Sequence, residues 1–225
     1  MQVLVQSYQR LKYLRQTVDS LRLDDVDLFI VDGGSDQPTK DYIKSVADKY
    51  LFFNDNPGSD FLKNEGIKHL ITDNYFILSA DDIEYSEGYS KLMKQQFEKL
   101  NWCELKWAFC SSNMEIVENQ NLQWSTVNGV DIYKVSGLQS ASAIVSRVAL
   151  MQVGLYPVYG KYGAGDWALG KMLLKSNYHC CYIRQPMVVH LGNNNAVDYP
   201  EFQNQANIDI NTNYTKAIHH GDNLH

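Results

Sequence analysis

The sequence lacks any apolar stretch long enough to cross a membrane. A spanning helix needs roughly 18–20 consecutive apolar residues, and the hydrophobic runs here are far shorter. The N-terminal segment, Met1 to Ser7, reaches Arg10 too early for the apolar region of a secretory signal, and no cleavage pattern follows it. We therefore expect a cytoplasmic protein without a transmembrane segment.

Basic side chains and cysteines are both scarce. The 225 residues include 20 Lys and Arg against 26 Asp and Glu, so the net charge at pH 7 is -6. Nucleic-acid-binding proteins usually have a basic face, so we expect no nucleic acid partner, although a local basic patch at a phosphate site is compatible with this charge. The four cysteines show no metal-ligand spacing and are expected to be reduced core residues.

Three motifs of common α/β enzymes are also absent. The sequence has no Walker A motif, no Gly-x-Gly-x-x-Gly fingerprint and no Gly-x-Ser-x-Gly elbow. These absences argue against P-loop hydrolases, dinucleotide-dependent dehydrogenases and serine hydrolases. A function on an α/β frame would therefore have to come from other residues.

The sequence does contain a regular alternation of strand and helix patterns in its first 100 residues. Short apolar runs at residues 3–8, 26–31, 51–53 and 75–80 have the length and composition of buried strands, and helical apolar spacing separates them. This order predicts an α/β fold with a doubly wound, mostly parallel sheet, in which residues 1–100 form a Rossmann-like half.

The regular alternation ends near residue 100. Residues 102–135 mix short apolar and polar stretches, with a hairpin turn expected at Asn128 and Gly129. We expect residues 101–192 to form a mixed region of the same domain, and residues 193–225 an Asn-rich, loosely held tail. The further elements expected in this region are a strand at 140–145, a helix at 147–153, a helix at 166–176, and closing strands at 178–183 and 186–191.

Two of the predicted strands end in carboxylates. Asp32 follows the second strand and precedes Gly33 and Gly34, and the pair Asp81 and Asp82 follows the fourth. Parallel strands end at one edge of a sheet, where ligands of open α/β sheets bind, so these acids should face one crevice. Clustered carboxylates repel each other unless a cation or a hydrogen-bonding ligand lies between them, which indicates a divalent metal ion, a polar ligand, or both. A pair of carboxylates at a strand end is suited to hold Mg²⁺ or Mn²⁺ against a diphosphate. For each of these residues the alternative is an ordinary turn or helix cap.

Two later residues are further candidates. His190 ends an apolar run and could be a ligand of a borderline metal or a purely structural residue. Asp166 follows a Gly-rich loop at a predicted helix start, where it could be a general base or an N-cap. Aromatic residues around this loop, including Tyr162 and Trp167, could form a platform for a sugar or pack in the core.

Taken in order, these segments resemble the family 2 glycosyltransferases of the GT-A fold, from about Val3 to Gly192. Residues 159–172 are also similar to the Gly-rich Trp-Gly-Gly-Glu-Asp stretch of β-galactosyl- and N-acetylgalactosaminyltransferases. The matching segments are residues 5–10, 31–36, 63–66, 78–82, 165–166 and 189–192.

The resemblance implies a metal-dependent, inverting hexosyltransferase that moves a sugar from a nucleotide diphosphate, by family habit UDP, to an acceptor hydroxyl such as that of a carbohydrate. Asp166 would be the catalytic base. Mn²⁺ or Mg²⁺ would bind Asp81 and His190, with Asp82 as a further candidate ligand. Residues 1–100 would bind the donor and residues 101–192 the acceptor, within one catalytic domain. The donor would contact Tyr8, Arg10, Asp32, Asp36, Lys63, Asn64 and Asp81, and the acceptor Tyr162, Gly165 and Trp167.

Three residues depart from the family pattern. Ser79 replaces the first Asp of the metal motif, Gly165 replaces the Glu before the base, and Ala168 stands where a further acid is frequent. Two other functions stay open: a catalytically inactive carbohydrate- or partner-binding module of this fold, and a nucleotidyltransferase of related fold. Nucleotidyltransferases usually have a Gly-rich, basic first loop, and residues 6–12 here contain no Gly.

Overall fold

A computed structural model of the protein describes residues 1–102, 104, 106–114, 123–135, 141–161 and 165–192, together with positions 208 and 212. The first half contains β1 (Gln2–Ser7), α1 (Leu11–Leu21), β2 (Asp27–Asp32), α2 (Gln37–Val46), β3 (Lys49–Phe52), α3 (Ser59–His69), β4 (Tyr75–Ser79), β5 (Ile83–Glu84) and α4 (Tyr89–Leu100). The second half contains β6 (Trp107–Met114), β7 (Ser125–Val127), β8 (Val130–Val135), β9 (Ser142–Ser146), α5 (Arg147–Val153), α6 (Gly165–Lys175) and β10 (His179–His190).

The predicted α/β architecture is confirmed, and the described strands form one mixed sheet. Its order is β3-β2-β1-β4-β9-β6-β10-β8-β7, and β5 pairs with β10. The first four strands are parallel, as in a Rossmann-like half. In the second half β9 is antiparallel to β4 and β6, β10 is parallel to β6, and β8 and β7 are antiparallel to their neighbours. The parallel and mixed halves therefore occur in the expected order along the chain.

Helices cover both faces of this sheet. Leu14 of α1, Ile43 of α2 and Met93 of α4 belong to one buried cluster, while Leu62 of α3 and Leu173 of α6 belong to another. Strands covered on both faces have apolar side chains on both sides, which explains the continuous apolar runs in β1, β2 and β4. The ends of these strands are then the natural place for polar groups.

Local turn chemistry explains several element boundaries. Asp36 caps α2 by accepting a hydrogen bond from the N–H of Thr39 (3.1 Å), and Pro38 lies in the first turn of that helix. Asn128 and Gly129 have φ angles of 50° and 76° between β7 and β8, so the predicted hairpin turn is confirmed.

The two closing strands predicted from the sequence are one strand, β10. The pairing of β10 with β6 shifts register between Ile183 and Met187, where Pro186 lies. Proline cannot donate a hydrogen bond between strands, so its position in the sequence predicts a strand boundary. In the structure the strand continues past Pro186, and only its pairing register changes. Tyr162 and nearly all of the predicted tail lie outside the described residues. No helix in the described part of the chain combines the length and apolarity that membrane crossing requires.

Candidate active site

The turn after β1 joins the ends of β2 and β4. The N–H of Tyr8 donates to Asp81 Oδ2 (3.2 Å), and the N–H of Gln9 donates to Ser35 Oγ (2.7 Å). Gln9 has a φ of 59°, in the left-handed region that non-glycine residues seldom adopt. The turns that follow these three strands are therefore fastened together at one edge of the sheet.

Arg10 bridges the two adjacent aspartates at the end of β4. Its Nη2 donates to Asp81 Oδ1 and its Nη1 donates to Asp82 Oδ2 (2.6 Å). Both acids are at most 2% exposed, whereas the Arg10 side chain is 19% exposed. One guanidinium thus compensates two buried carboxylates and still reaches the crevice.

The protonation of this cluster reflects its burial. The pKa of Asp81 is raised to about 6, mainly by burial and also by the nearby charge of Asp82, against the opposing effects of Arg10 and the Tyr8 N–H. Burial alone would lower the pKa of Arg10, but the two aspartates outweigh it and hold that pKa above its usual value. Arg10 is therefore a permanent cation at this position.

His190 and Gly192, at the end of β10, complete the cluster. Nε2 of His190 lies 3.4 Å from Asp82 Oδ2. A Cβ atom on Gly192 would lie 2.2 Å from Asp82 Oδ2 and 3.2 Å from Arg10 Nη1, so only glycine fits this close approach. His190 thus contacts Asp82, which shares Arg10 with Asp81; Asp81 and His190 are the expected metal ligands, and Asp82 is the further candidate.

The ligand chemistry of this cluster fits a divalent metal ion. Asp82 Oδ1 is buried and has no hydrogen-bond partner among the described residues, and carboxylates with an imidazole suit Mn²⁺. No group of three or more His, Cys, Asp or Glu side chains within the described ranges is arranged to hold a metal alone. Oxygen atoms of a bound ligand or of water would therefore have to complete the coordination of such an ion.

Ser79, which replaces the first Asp of the family motif, faces the core. It is fully buried, accepts a hydrogen bond from Tyr85 Oη (2.6 Å) and donates to the carbonyl of Ala80 (2.7 Å). A carboxylate at this position would be buried beside a tyrosine. The change to Ser thus removes no group that faces the crevice in this chain.

Both carboxylate oxygens of Asp32 accept hydrogen bonds from the turn that follows it. Its Oδ1 accepts hydrogen bonds from the N–H groups of Gly34 (3.1 Å) and Ser35 (2.9 Å), and its Oδ2 accepts one from Ser35 Oγ (2.5 Å). The residue is fully buried. Asp36, in contrast, is exposed, and its hydrogen bonds to Thr39 lower its pKa. Both residues shape the rim at the end of β2.

A second cluster joins α3 to the start of α6. Lys63 Nζ lies 3.3 Å from Asp60 Oδ1 and 3.2 Å from Asp166 Oδ1, and 4.7 Å from the centre of the Tyr156 ring. The side chains of Asp60 and Lys63 are each 4% exposed, while that of Asp166 is 27% exposed. Burial acts to lower the pKa of Lys63, but Asp166 and Asp60 together raise it above its usual value, so the lysine stays charged.

Asn64 fastens the segment before α6 onto α3. Its Nδ2 donates to the carbonyl of Tyr156 (2.8 Å), and its Oδ1 accepts from the N–H of the same residue (2.9 Å). Both polar atoms of the Asn64 amide are thus engaged with backbone. Lys63 and Asn64, on α3, thus contact Asp166 and the backbone of Tyr156, respectively.

The first turn of α3 contacts both sides of the crevice. Ser59 Oγ donates to Gln6 Oε1 (2.7 Å) near the end of β1, and the N–H of Ser59 donates to the carbonyl of Lys161 (3.2 Å). Of the expected acceptor residues, Gly165 is buried and Trp167 is 46% exposed beside Asp166. Sequence reasoning missed Asp60, whose only signal was its i,i+3 spacing from Lys63 on one helix face.

The chain has the fold of the GT-A glycosyltransferases, as three solved structures show. A mannosyltransferase of Pyrobaculum calidifontis, solved with GDP-Man and Mn²⁺, has a TM-score of 0.65 at 14% identity over 84% of this chain and 56% of its own. GalNAc-T7, solved with UDP, GalNAc and Mn²⁺, has a TM-score of 0.65 at 11% identity over 84% of this chain and 43% of its own. A fragment of S. aureus TarS, solved with UDP-GlcNAc, has a TM-score of 0.64 at 14% identity over 84% of this chain and 57% of its own.

Residues 2–111, slightly less than half of the chain, match the family described as Glycosyl transferase family 2. This match agrees with the resemblance noted in the sequence, and the structural relatives confirm the GT-A fold. Comparison with curated proteins finds no match. The chain spans about half the length of the three structural relatives above.

Proposed function

We propose that the protein is an inverting, metal-dependent hexosyltransferase that moves a sugar from a UDP-linked donor to an acceptor hydroxyl, such as that of a carbohydrate. The observation that carries this proposal is the buried cluster of Arg10, Asp81 and Asp82 at the carboxyl ends of the parallel strands. Ligands of open α/β sheets bind in this crevice. The partly exposed carboxylate of Asp166, at the start of α6, supplies a separate acid group.

We assign the nucleotide to the edge formed by the ends of β1 and β2. Tyr8 is half-buried there, Asp32 holds the turn, and Asp36 lies exposed on the rim. Arg10 presents a charged guanidinium to the crevice, and guanidinium groups bind phosphate oxygens through two parallel hydrogen bonds. The donor diphosphate would therefore lie against Arg10 and beside Asp81.

Asp81 and His190 would hold a Mn²⁺ or Mg²⁺ ion, with Asp82 beside them. When bound, such an ion supplies a Lewis acid that neutralises charge on a diphosphate leaving group, an effect worth several kcal/mol. The protein's own contribution is to keep two carboxylates buried and aligned at the strand ends. Arg10 supplies a positive charge to the same place.

Asp166 would act as the general base. The acceptor oxygen attacks the anomeric carbon as the bond from that carbon to the diphosphate breaks, and the acceptor proton passes to Asp166. Attack on the face opposite the leaving group inverts the configuration. A positioned base contributes roughly 10²–10⁴-fold to such a step. The exposed ring of Trp167 next to it would contact the acceptor sugar.

Donor binding is tested by thermal unfolding with a panel of nucleotide sugars, each with and without Mn²⁺. A ligand that binds only the folded state raises Tm in proportion to its affinity and concentration. We expect a UDP-sugar to raise Tm more with Mn²⁺ than without it. The absence of a shift with every donor would contradict the proposal.

Catalysis is tested with Asp166→Asn, which keeps the size of this side chain in the first turn of α6. We expect unchanged donor binding and a turnover lower by about two to four orders of magnitude, the range for a lost general base. Asp25→Asn, at an exposed position in a turn, is the matched control. Wild-type turnover in Asp166→Asn would exclude this base, and a product of retained configuration by NMR would exclude inversion.

A further inference from the structure

Residue 165 has no side chain, and the carboxylate of Asp60 occupies the place where one would lie. A Cβ atom built on Gly165 would be 2.1 Å from Asp60 Oδ2 and 2.5 Å from Asp60 Cγ. Asp60 is only 4% exposed, so it has little room to move aside. The family resemblance places a glutamate directly before the base, at this position. Here an acid from α3 fills the same space.

Asp60 is connected to Asp166 through one buried cation. Lys63 Nζ lies 3.3 Å from Asp60 Oδ1 and 3.2 Å from Asp166 Oδ1, with the Tyr156 ring on one side. Asp60 and Lys63 are three residues apart on α3, so they share one face of the helix. Titratable groups near these acids include, among the described residues, Tyr182 of β10, close to Asp166, and Tyr159, close to Asp60.

We propose that Asp60 and Lys63 are positioning residues that orient Asp166 on the acceptor side. The carboxylate of Asp60, which belongs to α3, lies where an acidic side chain at residue 165 would otherwise lie. This inference rests on the proposed role of Asp166 as the base. Lys63 orients the Asp166 carboxylate through its ion pair. Asp60 holds the same ammonium group from the other side, so the position of Lys63, and with it the orientation of Asp166, depends on both ion pairs.

A double-mutant cycle on thermal stability tests, without any substrate, whether the Asp60 carboxylate occupies the position of a side chain at residue 165. The φ of Gly165 does not lie in the left-handed region, so alanine suits its backbone and a loss of stability would report the contact with Asp60. We expect Gly165→Ala to lower Tm by roughly 5 °C or more, and to lower it little in the Asp60→Ala background. Equal effects in both backgrounds would overturn the inference.

The positioning role is tested by moving the carboxylate. We expect Asp60→Ala to lower kcat by about tenfold or more with an unchanged donor KM, and Asp60→Ala/Gly165→Asp to regain most of the lost kcat. Asp60→Asn, which keeps the shape, provides the same comparison if Asp60→Ala fails to fold. Asp25→Ala is the exposed control. The positioning role would be overturned by a wild-type kcat in Asp60→Asn or Asp60→Ala. It would also be overturned if the folded variant Asp60→Ala/Gly165→Asp did not regain kcat.

The two tests separate this inference from the proposed function. A wild-type protein that transfers no sugar to any acceptor would refute the proposed function, and the positioning role in transfer would fall with it. The stability cycle needs neither donor nor acceptor. It would then still decide whether Asp60 fills the place of a side chain at residue 165.

Discussion

Removal of the Arg10 guanidinium should reveal how strongly the paired aspartates depend on it. In Arg10→Met the apolar part of the side chain is kept, but Asp81 and Asp82, each at most 2% exposed, lose their shared cation. Breaking a buried ion pair from one side costs about 3–5 kcal/mol, since the remaining charge is left uncompensated. Each kcal/mol lowers Tm by roughly 2–4 °C in a chain of this size, so we expect a fall of about 6–20 °C at pH 8.

The pH dependence of this loss identifies its cause. Burial already raises the pKa of Asp81 to about 6, and Arg10 is the main group that opposes the rise. Without Arg10 the proton is held still more tightly, so a protonated Asp81 should relieve the repulsion in acid. The destabilisation of Arg10→Met, measured by urea unfolding, should therefore be smaller at pH 5 than at pH 8. Mn²⁺ should also restore part of the stability at pH 8, because it replaces the lost positive charge.

Arg22→Met is the matched control for this experiment. Arg22 pairs with Asp48 at 3.6 Å, and both side chains are more than 40% exposed. Exposed ion pairs contribute about 0–1 kcal/mol, so the control should unfold near the wild-type temperature at both pH values. An Arg10→Met protein as stable as this control at pH 8 would refute the account of the cluster given above.

Three further predictions concern single groups. Mn²⁺-dependent binding of UDP, measured by calorimetry, should strengthen as the pH rises through about 6, because the ligand form of Asp81 is the deprotonated one; a flat profile would exclude Asp81 as ligand. Asn64→Ala should lower the free energy of unfolding in urea by about 1–3 kcal/mol, since the Tyr156 backbone loses both partners, and a neutral effect would contradict that contact. Asp32→Ala should weaken UDP binding by about 1–3 kcal/mol at unchanged metal stoichiometry, because the turn after β2 loses three hydrogen bonds. Normal UDP affinity in a folded variant would show that Asp32 serves only the turn.

The strands and their acidic ends were predictable because the signals are local. A buried parallel strand is apolar over four to six consecutive residues, and the residues that follow it must lie at the edge of the sheet. Asp32 and Asp81 could therefore be placed from a few neighbours in sequence. The predicted strand boundary near Pro186 was wrong. The local preference of proline for strand ends contains no information about the register shift by which β10 continues along β6.

The contacts within the candidate site were not predictable in the same way. Arg10 and Asp81 are 71 positions apart, and Lys63 and Asp166 are 103 positions apart. Such pairs depend on how several strands and helices pack, and no periodicity in either segment encodes the partner. The sequence identified Gly165 as a departure from the family pattern, but only the packed structure shows that Asp60 lies in the vacated space.

The attachment of α3 to both sides of the crevice has a consequence for how acceptor preference could change. Through Ser59 this helix contacts Gln6 near the nucleotide edge, and through Lys63 it contacts the proposed base. In the proposed function, this helix of the scaffold would then set the spacing between the leaving group and the proton acceptor. Substitution of Trp167, which is exposed on α6, should therefore alter which sugar is accepted while the alignment for transfer persists. A proline in the middle of α3 should have a different effect, because it breaks the helix and disturbs the contacts of Lys63 and Asn64 together with the alignment.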